Sequence, residues 1–156
     1  MIRVSIPGWH TLELAHLVLD LNGTIALDGQ VLPGVAERLA ALSAELTVHL
    51  VTADTQGQAA QSAERLGLHL FRIVPGDEVG QKLSLVAQLG PAQTVAIGNG
   101  ANDARMLAAA VLGIAVLGPE GLATAALQAA EVVTRRIEDA LDLLLCPKRL
   151  VATLRR

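Results

Sequence analysis

Apolar positions along this chain fall into short runs, each closed by an acid, a glycine or a proline, with segments of helical repeat between them. The run LVLDLNGT, residues 17 to 24, organises the rest: three apolar residues lead to Asp20, and a glycine-containing turn follows. Such a run suits a buried parallel strand that delivers its last side chain to the rim, where open α/β sheets bind their ligands. Asp, Asn and Gly are also ordinary turn residues, so Asp20 alone fits a plain turn equally well. Upstream, IRVSI and TLELA alternate around PGWH and predict a small hairpin, with Trp9 and His10 packing locally in its turn. Downstream, Asp28-Gly29 and Pro33-Gly34 in IALDGQVLPG predict a tight hairpin, a flap beside Asp20, ahead of a helix.

That helix covers 35 to 45, with Val35, Leu39 and Leu42 on one face and Glu37, Arg38 and Glu45 toward solvent. TVHLVT, 47 to 52, is the second core strand, in which His49 is a core or interface histidine rather than a ligand. A polar-faced helix at 55 to 66 stops at Gly67, and HLFRIV, 69 to 74, is the third strand. Residues 75 to 90 give a turn and a helix with Lys82 in its first turn, where a cation opposes the helix dipole and so suits an anion partner better than bare solvent. A strand at 93 to 97 breaks at Gly98 and Gly100 into GNGAND, and the helix start that follows suits an anion; Asn102 or Asp103 can equally cap it. Strands at 113 to 118 and 131 to 134 flank a helix at 119 to 130, and two helical pieces divided by Pro147 close the chain.

Strands alternating with helices at this spacing predict an α/β fold, a doubly wound and mostly parallel sheet forming one domain over residues 1 to 156. The usual right-handed crossover then puts the ends of all these strands on one edge. Four polar places share that edge: Asp20, the VTAD segment with Thr52, Ala53 and Asp54, Lys82, and GNGAND. Between Asp20 and Thr52 there is room for only the flap and one helix, and between Thr52 and Lys82 for one further unit, so no cap domain is expected.

In this order the four places resemble the haloacid dehalogenase superfamily, and DLNGT, TAD and GNGAND are similar to the DKTGT, TGD and GDGxND of the P-type ATPase phosphorylation domain. The likeness runs from about residue 17 to 134. It implies the Rossmann-like fold of that superfamily, of capless type, and a phosphohydrolase or phosphotransferase acting on a small phosphorylated molecule. Asp20 would be the nucleophile and form an aspartyl-phosphate. Thr52 would hold a phosphoryl oxygen and Lys82 would offset charge, with Gly23, Thr24, Ala53, Asp54 and Asn102 around the substrate. Mg²⁺ would sit between Asp20, the carbonyl of Asn22 and the loop after Gly98, through Asp103 first and Asn99 second. The resemblance also implies a homo-oligomer, since capless members commonly shield their site with a second subunit.

Position 22 is Asn where the superfamily's phosphatases carry an acid, and an amide cannot shuttle a proton. Turnover is therefore expected to be slow, since a positioned acid/base is worth about 10² to 10⁴-fold. Asn99 stands where an Asp is usual, which removes one negative charge from the metal site; Asp54 could restore it. A non-catalytic relative that binds a phosphorylated ligand or partner through the same crevice is the alternative.

Composition narrows the setting. Hydrophobic residues are 52% of 156, yet no run approaches the roughly 18 that a membrane span requires. Net charge is −3 and the basic residues are scattered, which removes the footprint expected of a nucleic-acid binder. The start of the chain lacks the basic and apolar regions of a signal peptide, and one cysteine forms no internal disulfide, so a cytoplasmic protein is expected. Cys146, beside Pro147, is expected to be a small buried hydrophobe.

Overall fold

The computed structural model describes residues 1–53 and 58–156. Its first elements are strands β1 (Ile2–Ser5) and β2 (Thr11–Leu14), paired antiparallel as the alternation requires. Trp9 packs half-buried at their turn, with the Arg156 guanidinium 5.8 Å from its ring centre. Next come β3 (His16–Asp20), the flap strands β4 (Ala26–Leu27) and β5 (Gln30–Val31), and helix α1 (Val35–Ser43). The flap closes through Asp28 and Gly29, both at positive φ, the conformation that favours Asp-Gly in two-residue hairpins.

The remaining chain supplies β6 (Thr47–Thr52), α2 (Gln58–Leu66), β7 (His69–Arg72), α3 (Glu78–Leu89), β8 (Thr94–Gly98), α4 (Ala104–Ala109), β9 (Leu112–Val116), α5 (Thr124–Ala129), β10 (Val132–Thr134), α6 (Ile137–Leu145) and α7 (Pro147–Leu154). Six strands form one sheet in the order β10-β9-β8-β3-β6-β7, and every pairing in it is parallel. Successive side chains of a strand point to opposite faces, so each face has its own apolar layer. Leu17 and Leu19 join α1, α2 and α6 on one side, while Val18 joins α3, α4 and α5 on the other. The two layers make the sheet doubly wound.

Chain order reverses between β3 and β8: from β3 the chain proceeds to β6 and β7, then crosses back to β8 and continues to β9 and β10. In sheets of this kind the crevice outside the carboxyl ends at the reversal is the ligand site. Asp20 ends β3 and Gly98 ends β8, so the two most informative loops of the sequence flank that point. Among the described residues, only the flap and α1 lie between β3 and β6, and no cap covers the edge.

Several local expectations change. Lys82 lies in the second turn of α3, because the helix begins at Glu78 with Asp77 accepting from the Gly80 amide as its cap; the pull on Lys82 is therefore not a clash with the helix start. The segment 119 to 130 is helical only from Thr124, since Gly118 and Gly121 pair across a turn and Gly121 has φ +92°. β9 ends at Val116 and β7 at Arg72, each short of the expected bound. Arg38 does not simply face solvent: its guanidinium holds Asp142 by two bonds of 2.7 and 3.2 Å and ties α1 to α6. Cys146 is exposed, because it is the link between α6 and α7, whose inward positions are taken by Leu144 and Leu150.

Three histidines stand side by side on one face of β3, β6 and β7. His49 is half-buried between His16, whose Nδ1 is 3.3 Å from its Nε2, and His69, whose ring centre is 5.5 Å away. Burial, and then the two neighbouring imidazoles, lower its pKa to about 4. A depressed value favours the folded state above the unfolded pKa of 6.5 and ceases to do so as pH falls through about 4. His49→Gln is accordingly expected to flatten the loss of stability between pH 6.5 and 4, by on the order of 1 to 2 kcal/mol in urea titrations. An unchanged acid slope would refute this.

Candidate active site

At the reversal point, burial has gathered charges that would not otherwise leave water. Lys82 reaches from α3 with its side chain only 2% exposed, and its Nζ donates to Asp20 Oδ1 at 2.7 Å and to Asp103 Oδ1 at 2.6 Å. Asp103 is fully buried, and its other oxygen accepts from the backbone amides of Asn99 and Gly100 at 3.1 and 2.9 Å. These bonds fold the GNGAND loop back over the end of β8. Isolated buried charges are costly, and they persist when paired and hydrogen-bonded as these are.

The pairing is unequal. Burial, with Asp103 second, raises Asp20 to about pKa 7, although Lys82 acts in the opposite direction. Burial alone would depress Lys82, but the two carboxylates more than offset it and its pKa is raised. Asp20 Oδ2 is the less committed oxygen, receiving among the described residues a single long bond of 3.4 Å from Thr24 Oγ1. The Thr24 hydroxyl also lies 3.0 Å from Asn99 Oδ1, which joins the first loop to the fourth.

Gly23 has φ +76°, and a Cβ there would overlap the Glu120 carboxylate and come within 2.8 Å of Asn99 Nδ2. Glycine is needed for both reasons. Glu120, on the turn after β9, is the residue the sequence reading missed, because its segment read as helix. A Gly-Pro-Glu-Gly sequence straight after a strand end was the available sign. A crevice of about 410 Å³ opens here, lined by Asn99, Gly100, Glu120, Gly121, Leu122 and Ala123.

Thr52 is buried at the end of β6, one residue beyond the Val51 that pairs with Asp20, and Ala53 follows half-buried. Asp54 lies outside the described residues. Asn102 donates to Glu78 Oε2 at 3.3 Å and so connects the loop to the start of α3.

A hard cation such as Mg²⁺ takes oxygen ligands, usually one or two carboxylates with phosphate and water. No group of three or more His, Cys, Asp or Glu that could hold a metal occurs among the described residues. The donors on offer are instead one carboxylate, Asp20, with amide and carbonyl oxygens of Asn99 and Asn22; both Asp103 oxygens are engaged. That set fits Mg²⁺ chemically, with less charge than two carboxylates would give.

Residues 2–110 match the model of the haloacid dehalogenase-like hydrolase family, and the chain belongs to that family. It is thus a hydrolase by family. An uncharacterized protein of Methanocaldococcus jannaschii is 42% identical over 84 residues, covering 51% of this chain and 90% of its own. The probable cation-transporting ATPase G of Mycobacterium tuberculosis is 34% identical over 135 residues, covering 74% of this chain but 17% of the ATPase. Among solved structures, the 3-deoxy-D-manno-octulosonate 8-phosphate phosphatase of Moraxella catarrhalis, in complex with magnesium, phosphate and KDO, superposes with a TM-score of 0.69. It is 18% identical, with 90% of this chain and 92% of that one covered, and shares the fold. No helix among the described residues is long and apolar enough to cross a membrane.

Proposed function

We propose that the protein is a Mg²⁺-dependent phosphohydrolase that works through an aspartyl-phosphate on Asp20 and turns over slowly. The observation that carries this reading is the buried Lys82 bridging Asp20 and Asp103 at the sheet reversal. A lysine so held keeps Asp20 pointed at one place and neutralises charge that would repel a phosphate dianion. Asp20 Oδ2 attacks phosphorus, the bond to the ester oxygen breaks, and the departing alkoxide takes a proton from water. Water then attacks the acyl-phosphate, releasing phosphate and regenerating the carboxylate. The Thr52 hydroxyl is assigned to the phosphoryl oxygens, with Gly23, Thr24, Ala53 and Asn102 bordering them.

Asp20, the Asn22 carbonyl and Asn99 would hold the cation, which when bound neutralises phosphoryl charge and draws the Asp20 carboxyl toward its ionised form. Asp103 is assigned to fixing Lys82 and the loop rather than to the metal. Glu120 brings further negative charge to the mouth of the crevice.

Slow turnover follows from Asn22, which gives the alkoxide and the attacking water no proton partner. Asn22→Asp is expected to raise kcat on a simple phosphate ester by at least about tenfold at saturating Mg²⁺, within the range of positioned acid/base catalysis. The phosphoenzyme should become shorter-lived in the same variant. Unchanged or lower turnover at saturating metal would refute the assignment, and it is the result a purely phosphate-binding protein would give.

A further inference from the structure

A second cavity opens on the same sheet edge, and it adjoins the phosphoryl site through the backbone. A Cβ on Gly118 would come 2.6 Å from the Gly23 carbonyl oxygen, so the turn after β9 packs directly on the loop after Asp20. Beyond Gly118 lies a space of about 330 Å³, within the roughly 300 to 1,000 Å³ typical of small-ligand pockets. Leu32 from the flap, Leu117 and Ile137 give it apolar walls. Leu117 is 53% exposed, although its neighbours in β9 are fully buried.

The polar lining is cationic. Arg136 lies 3.9 Å from Glu138, which shares the pocket, and 3.6 Å from Asp139, so the pocket's acid is already matched. Arg135 also lines the pocket and forms no ion pair among the described residues. The α6 helix begins here without a side-chain cap, which leaves its first amides available. An exposed arginine with no ion pair among the described residues, at the rim of a largely apolar cavity bordering the proposed phosphoryl site, is a fork for a second anion.

We propose that this cavity receives the leaving group of the substrate, and that Arg135 selects phosphate esters whose apolar leaving group carries a carboxylate or another anion. The proposal rests on the phosphohydrolase reading, whereas the occupancy of the cavity can be tested apart from turnover. Arg135 acts here on specificity; it touches neither Asp20 nor the assigned phosphoryl contacts.

Two esters separate the claims, phenyl phosphate and 4-carboxyphenyl phosphate, which differ by one carboxylate on the same ring. The wild type is expected to hydrolyse the carboxylated ester with kcat/KM roughly tenfold higher, the size of one charge-assisted hydrogen bond. Arg135→Ala should erase that preference while leaving phenyl phosphate within about twofold. Equal kcat/KM on the two esters in the wild type, or an equal loss on both in the variant, would overturn the proposal. If neither ester is hydrolysed, the phosphohydrolase reading fails, and calorimetric titration with benzylphosphonate and 4-carboxybenzylphosphonate still decides the cavity. Tighter, Arg135-dependent binding of the carboxylated phosphonate supports it; equal binding, or none, overturns it.

Discussion

Asp20→Asn is expected to abolish phosphate ester hydrolysis and capture of beryllium or aluminium fluoride, and at the same time to make the metal-free protein more stable at alkaline pH. The second half follows from the buried carboxylate. Its folded-state pKa of about 7 lies above the ordinary 3.8, since burial and Asp103 disfavour the charge more than Lys82 favours it. A raised value means that the contribution of this group to stability is complete below about pH 4 and is lost as pH rises through about 7. An amide has no such loss. In chelator at pH 8 the variant should therefore melt several degrees higher, since each kcal/mol corresponds to about 2 to 4 °C in a chain of this size. The difference should vanish toward pH 4, where both side chains are neutral. Retained hydrolysis would remove Asp20 as nucleophile, and a lower melting temperature at pH 8 would show that the Lys82 bond outweighs the burial.

Lys82→Met should be the most destabilising single change in the crevice. It leaves Asp20 and Asp103 buried together with their shared cation gone, and breaking a buried pair in this way costs about 3 to 5 kcal/mol. The loss should grow from pH 5 to 8 as Asp20, raised to about pKa 7 by burial, ionises, and hydrolysis should disappear. Adding Asp20→Asn to Lys82→Met should recover part of the stability, because one of the two orphaned charges is removed, but none of the activity. Urea denaturation of the two variants and the double variant measures this directly. Additive losses would mean that the two side chains do not form one unit.

The sequence by itself was sufficient for the strand and helix alternation, the flap turn at Asp28-Gly29, and the placing of Asp20 and Gly98 at strand ends. These features are local. A run of apolar residues interrupted by Gly or Asp reports its own burial and its own end, whatever it packs against. Val35, Leu39 and Leu42 are all buried on one face of α1 because a helical repeat fixes that face before any partner is known.

Tertiary structure alone decided which of these ends meet. Lys82 is 62 residues from Asp20 and 21 from Asp103, and it joins them only because β3 and β8 are neighbours in the sheet. That adjacency is a property of how two apolar faces are covered at once, which no single segment encodes. The same holds for Arg38 and Asp142, 104 residues apart, where a solvent-facing arginine by pattern became a tie between helices. Glu120 was hidden for a different reason: Gly118 and Gly121 close a turn inside an otherwise helix-like stretch, and only the contact with Gly23 shows where its carboxylate lies. The pKa of Asp20 likewise belongs to the assembled crevice, since burial sets it and burial of a charge is achieved by the whole sheet edge together.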